Sequence, residues 1–216
     1  MSRRWVCLDV GETLIDETRV WSTWADELAI PRLTFMAALG AVVARGGQHG
    51  EVFDVFGIGH ADWMARLPAV EDRYGGFRAE DLYPDARRSI AALEAAGYFV
   101  SVAANQPARR AGELRALGIG PDVLAMSDAI GVAKPLPAFF ERVLELMGGP
   151  DPADVAYVGD RIDNDVIPAA EAGMRAVWLR RGPWGVIQQL PPDVAPALVV
   201  STLDELAERI DGAWER

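Results

Sequence analysis

Lysine is nearly absent from this 216-residue chain: of 21 basic residues, 20 are arginine and one, Lys134, is lysine. A sequence that writes arginine wherever it needs positive charge has a particular use for that ammonium. Cysteine is as scarce. Cys7 alone can neither close an intrachain disulfide nor build a cysteine-rich metal site, and its place in an apolar run marks it as a buried thiol. His49 and His60 are the only histidines, and their separation fits no metal pair on one helix. Positive charge is in deficit overall, with 32 acidic residues and a net charge of −11, which repels nucleic acid and anionic membrane surfaces at long range. No window approaches the ~18 apolar residues of a membrane span. The apolar stretch after Arg3 and Arg4 is too short for a signal-peptide core. The expectation is a soluble, cytoplasmic protein with no nucleic-acid or membrane partner.

What is present is a recurrence of short β-type runs: Arg4 to Val10, Phe99 to Ala104, Asp122 to Ser127, Val155 to Gly159, Ala176 to Leu179 and Ala197 to Val200. Helical patterns separate them at Pro84 to Ala96, Pro107 to Leu117, Pro137 to Met147, Asp165 to Ala172 and Leu203 to Ile210. Strands apolar on both faces, alternating with helices of about ten residues, predict an α/β fold: a Rossmann-like parallel sheet with helices on both faces. In such folds ligands bind beyond the carboxyl ends of the strands.

Between the first two strands the pattern is helical only: "TRVWSTWADELA", "PRLTFMAALGAVVARG", "EVFDVFG" and "HADWMARL", broken by "GGQHG" and "YGGF". This predicts an inserted α-helical cap at residues 17–82, overhanging a core formed by 1–16 and 83–216. Trp21, Trp24 and Leu28 share one helical face and read as the core of the cap. His49, among glycines, could sample the active site from a mobile loop, but its first reading is plain surface.

The carboxylates fall where such a sheet opens. Asp9 follows the first strand directly, and "YVGDRIDNDV" presents Asp160, Asp163 and Asp165 after another. Clustered carboxylates repel one another unless a cation neutralises them, and oxygen ligands without histidine or cysteine suit a hard ion such as Mg²⁺. Asp163 or Asn164 can instead cap the helix that starts near Asp165. Lys134, in "GVAKPLPAFF", stands at the same mouth, where a compact ammonium can touch a carboxylate and a phosphate oxygen together. Asn105 ends the second strand just before Pro107, and free N–H groups there suit an anion.

These pieces, in this order, resemble the haloacid dehalogenase superfamily, chiefly its phosphatase branch with a helical cap. "CLDVGETLID" looks like the first motif, in which the phosphatases have Asp, any residue, Asp, then Gly-Thr-Leu. "LYPDARRSIAALEAAGYFVSVAANQ" looks like the approach to the second motif, "SDAIGVAKPLPAFF" like the third and "AYVGDRIDNDVIPAAEAGMRAVWL" like the fourth. The resemblance implies a Mg²⁺-dependent hydrolase acting on a small phosphorylated metabolite through an aspartyl-phosphate at Asp9. It implies that Asp9, the Gly11 carbonyl and Asp160 hold Mg²⁺. Lys134 would orient the nucleophile and balance phosphate charge, and Asp165 would position the waters of the metal or Lys134. Asn105 and position 104 would meet the phosphate.

Two positions depart from that pattern. Gly11 replaces the second aspartate, the general acid/base, and Ala104 replaces a serine or threonine. Losing an acid/base costs about 10²–10⁴ in rate, and one missing hydrogen bond to a charged group roughly 1.5–3 kcal/mol. The expected enzyme is therefore slow on alkyl phosphates and better on leaving groups that need no proton, with Glu12 the nearest substitute carboxylate. The alternative is a catalytically impaired module that binds Mg²⁺ and a phosphorylated ligand or partner. The dehalogenase branch needs no metal, whereas "GDRIDND" keeps metal-type carboxylates; the phosphonate-cleaving branch needs a cap lysine, and this cap has none.

Overall fold

The computed structural model describes residues 4–215. Its six strands are β1 (Trp5–Leu8), β2 (Phe99–Ala104), β3 (Val123–Met126), β4 (Val155–Gly159), β5 (Arg175–Leu179) and β6 (Leu198–Val200). All pair in parallel, in the order β3-β2-β1-β4-β5-β6. The strand order reverses direction at β1 and β4, the position where open α/β sheets leave a crevice for a ligand.

The helices are α1 (Thr18–Glu27), α2 (Arg32–Ala44), α3 (Val52–Val55), α4 (His60–Tyr74), α5 (Ala86–Ala95), α6 (Arg110–Ala116), α7 (Ser127–Ile130), α8 (Pro137–Leu146), α9 (Ile167–Glu171), α10 (Gly182–Ile187) and α11 (Leu203–Arg209). None among the described residues is long and apolar enough to cross a membrane by itself.

The two-residue period of a strand divides each apolar run between two cores. Val6 and Leu8 of β1, Ala156 and Val158 of β4, and Val177 and Leu179 of β5 join α5 (Leu93), α6 (Leu114) and α11 (Leu206) in one cluster. Cys7, Tyr157 and Trp178 face the opposite way, onto Phe139, Phe140 and Val143 of α8 and Ala169 of α9. Cys7 is fully buried, and burial pushes its thiol up to about 12, so it behaves as a small core hydrophobe. That is the doubly covered sheet expected from apolar strands.

The helices between β1 and α5 form a third cluster, in which Trp21, Trp24, Phe35, Leu39 and Phe53 are buried and Leu28 partly so. Trp24 meets the Phe53 and Trp63 rings edge-on, at 4.7 and 6.0 Å. The tryptophans are thus packing residues, as their helical spacing predicts. This cluster is completed from outside the insert by Trp184 and Ile187 of α10.

Two of the differences from the sequence expectation lie in α4 and α10. The last helix of the insert continues through Pro68 to Tyr74 instead of stopping at Leu67. Pro68 lies on the exposed face, where water can satisfy the carbonyl left without a partner one turn earlier. Helix α10, which contains two glycines and a proline, has no counterpart among the expected helices. Gly185 is required there by packing: a Cβ would lie 2.6 Å from the Leu179 carbonyl at the end of β5.

Candidate active site

Strand pairing by itself assembles the mouth of the sheet. Leu8 is in register with Val158, so Asp9 comes level with the end of β4, and its N–H donates to the Val158 carbonyl at 2.9 Å. The chain then turns tightly: the Val10 carbonyl accepts from the N–H groups of Leu14 and Ile15 at 2.8 and 2.9 Å. A partly open cavity of about 90 Å³ lies over these strand ends. Asp9, Gly11, Lys134, Asn105 and Asp160 line it, and so do Glu17 and His49 from the helical insert.

Lys134 is the hub. Its Nζ lies 2.8 Å from Asp9 Oδ1 and 2.6 Å from Asp165 Oδ1, with the side chain 1 % exposed. Burial alone would lower its pKa, but the Asp165 and Asp9 carboxylates outweigh burial and hold it above the usual lysine range. The Asn105 side chain fixes the lysine's main chain from both sides, with Oδ1 accepting from Lys134 N–H at 2.8 Å and Nδ2 donating to Lys134 O at 2.9 Å. The amide of Asn105 is therefore committed to placing the lysine. Ala104 is buried in the sheet and presents only main chain.

Helix α6 starts at Arg110, three residues after the expected Pro107, and the Ala108 N–H is already bound to Asp128 Oδ2. The turn between β2 and α6 is closed by the Gln106 N–H on the Ala104 carbonyl.

The three carboxylates Asp9, Asp160 and Asp165 bring one oxygen each within 4.8 Å of one another. Burial pushes Asp9 up to about 6 even though Lys134 pulls it down, and it lifts Asp160 well above the carboxylate range, aided by Asp165 and Asp9. Asp165 is fully buried; its second oxygen accepts from the Arg161 N–H at 3.0 Å. Asp160 differs, because its Oδ2 is buried without a hydrogen-bond partner among the described residues. An unpaired buried carboxylate oxygen beside two other carboxylates, in an all-oxygen donor set, fits a hard divalent cation.

The loop after β4 opens into a wide turn at Ile162–Val166 before α9. Asp163 does not cap the following helix. Its carboxylate accepts instead from Arg161 at 2.6 Å, Gln188 at 2.8 Å and, across to the insert, Gln48 at 3.1 Å. Arg161 also donates to Gln48 Oε1 at 2.7 Å and lies 5.1 Å from the Trp184 ring. None of this network was evident in sequence, since its members are spread over 140 residues. His49 is exposed, as expected, yet stands at the rim of the cavity between Trp21 and Trp184, at 5.9 and 6.3 Å.

Gly159 explains how Asp165 gets in. A Cβ there would lie 2.7 Å from Asp165 Cβ and overlap its carboxylate. Gly159→Ala is expected to destabilise the protein by about 1–3 kcal/mol, read as a lower urea midpoint at unchanged m-value.

Glu12, at φ +51°, is buried with both oxygens engaged: Oε1 accepts from the Glu17 N–H at 2.9 Å and Oε2 from the Tyr83 hydroxyl at 2.6 Å. Glu17 is half-buried, and desolvation, then the charges of Glu12 and Asp9, push its carboxyl up to about 8.

The sequence model of the haloacid dehalogenase-like hydrolases matches residues 4–173. The chain belongs to this family. Relatives of this chain include the pyrimidine 5′-nucleotidase YjjG of Escherichia coli, 36% identical over 87 residues, covering 40% of this chain and 37% of that protein. A phosphoserine phosphatase of Thermus thermophilus is 31% identical over 132 residues, covering 60% and 51% respectively. The chain thus spans about a third to a half of the length of the curated relatives it matches. In structure it is similar to the HAD hydrolase YfnB of Bacillus subtilis, with a TM-score of 0.71 at 18% identity over 98% of this chain and all of that one.

Proposed function

We propose that this hydrolase cleaves a phosphate monoester of a small metabolite, with Mg²⁺ as cofactor and Asp9 as nucleophile. The observation that carries this reading is the buried series Asp9, Lys134, Asp165 beside an Asp160 oxygen that no protein group satisfies. Asp9, Asp160 and the Gly11 carbonyl would hold the cation, which when bound supplies positive charge to the phosphate oxygens. The Asp9 carboxylate would attack phosphorus and form an aspartyl-phosphate, dividing one difficult displacement into two. Lys134, anchored by Asp165 and Asn105, would hold Asp9 in place and offer its remaining N–H to the phosphate.

The helical insert, residues 17–82, would act as a cap, because Glu17 and His49 reach into the cavity that Asp9 lines. The activities named for the two relatives, on pyrimidine nucleotides and phosphoserine, support a phosphorylated small molecule as the substrate class.

The test is a panel of pyrimidine 5′-nucleotides, phosphoserine and p-nitrophenyl phosphate. Turnover is expected with Mg²⁺, a fall to background with chelator, and recovery when Mg²⁺ is restored. Turnover that survives chelation, or halide release from a 2-haloacid without phosphate hydrolysis, would overturn the reading. Gly11 and Ala104 favour a second reading, a module that binds Mg²⁺ and a phosphorylated ligand without turnover. Its signature would be a Tm that rises with Mg²⁺ and inorganic phosphate while every substrate in the panel stays intact.

A further inference from the structure

Gly11 leaves the nucleophile loop without a side chain two residues after Asp9, yet that space is filled. A Cβ built on Gly11 would lie 2.5 Å from Glu17 Oε1 and 3.0 Å from Glu17 Cδ. The Glu17 carboxylate therefore stands in the volume that a side chain at position 11 would need, and it lines the same cavity as Asp9, Lys134 and Asp160. Its place is built. Glu17 precedes α1 but makes no capping hydrogen bond with its side chain. Its main chain is held by Glu12 Oε1, and Glu12 is braced in turn by the Tyr83 hydroxyl.

The geometry points to Glu17 as the proton-transfer residue of the hydrolysis, supplied from the start of the insert in place of a side chain at position 11, with Glu12 as its positioning residue. This rests on the phosphate-ester reading above. In the first step an Asp9 oxygen bonds to phosphorus while the bond from phosphorus to the ester oxygen breaks. The departing oxygen takes the Glu17 proton and leaves as the alcohol. In the second step water bonds to phosphorus, one of its protons passes to the Glu17 carboxylate, and the bond from phosphorus to Asp9 breaks. Asp9 is returned as carboxylate, Glu17 as the acid, and inorganic phosphate is released.

The same contact means that a side chain at position 11 would push the Glu17 carboxylate out of its present place. Gly11→Asp alone displaces the Glu17 carboxylate and sets a second carboxylate beside it, and is expected to lower activity. Gly11→Asp combined with Glu17→Ala removes the overlap and is expected to recover at least ten-fold over Glu17→Ala.

The test uses the full chain with Mg²⁺ on p-nitrophenyl phosphate, phenyl phosphate and glycerol phosphate. Glu17→Gln keeps size and main-chain contacts, and is expected to cut steady-state turnover about 10²–10⁴-fold. With p-nitrophenyl phosphate it leaves a burst of one nitrophenolate per enzyme before the slow phase, because that leaving group needs no proton whereas dephosphorylation still needs a base. The loss is steepest on glycerol phosphate. If wild type turns over and Glu17→Gln matches it on all three esters without a burst, the Glu17 assignment falls alone. If wild type hydrolyses none of them and forms no burst, the phosphate-ester reading falls with it. Should Glu17→Gln fail to fold, the double variant decides: no recovery over Glu17→Ala overturns the assignment.

Discussion

Asp9→Asn is expected to lower kcat by about 10⁴- to 10⁶-fold, the scale seen when one member of a covalent catalytic unit is removed, while leaving the protein at least as stable as wild type. The two halves of this result separate a nucleophile from a structural carboxylate. An amide cannot bond to phosphorus as a carboxylate does, so no phosphorylated enzyme forms. Its oxygen can still accept from Lys134 Nζ, which lies 2.8 Å from Asp9 Oδ1. Stability is preserved or raised because Asp9, Asp160 and Asp165 crowd together with Lys134 between two of them, and removing one charge relieves repulsion in a poorly solvated place. Rapid-quench assay for phosphorylated protein and urea unfolding check the two halves. Appreciable turnover by Asp9→Asn would place the nucleophile elsewhere.

Lys134→Met is expected to be the most damaging single substitution for folding, at about 3–5 kcal/mol, the cost of leaving a buried charge without its partner. Lys134 is 5 % exposed, its ammonium bridges Asp9 and Asp165, and its main chain is pinned by Asn105. Lys134→Arg should recover only part of the loss. A planar guanidinium is wider than the point-like ammonium that fits between two carboxylate oxygens 2.6 and 2.8 Å away. Added Mg²⁺ should raise the Tm of Lys134→Met, because a divalent ion neutralises the carboxylates the lysine leaves behind. Thermal melts with and without Mg²⁺ measure this. A Lys134→Met protein as stable as wild type would show that the lysine is not the charge that holds these carboxylates together.

The fold was legible in the sequence because its signals are local. Each strand is a short, mostly apolar run, and each such run proved to face two cores, with alternate residues of β1, β4 and β5 going to opposite sides. The helices between β1 and α5 are likewise marked by their periodicity and by glycine breaks. What misled were single residues whose effect depends on what lies beside them. Pro68 is tolerated because its face is wet, and the glycine-rich stretch around Gly185 is helical because only glycine lets that turn approach the Leu179 carbonyl.

The site divides in the same way. Sequence alone determined which carboxylates follow strands and that one lysine stands at the sheet mouth, since strand ends and residue identity are properties of the chain. The tertiary structure decided how these groups share the space. It spent the Asn105 amide on Lys134, gave Asp163 to Arg161 and two glutamines, and closed Glu12 against Tyr83 and the Glu17 main chain. It also placed the Glu17 carboxylate over Gly11. No sequence pattern could show that last placement. Whether the space above a glycine is empty or filled depends on how the first helix of the insert docks on the strand ends, and that docking is decided by packing between segments far apart in the chain.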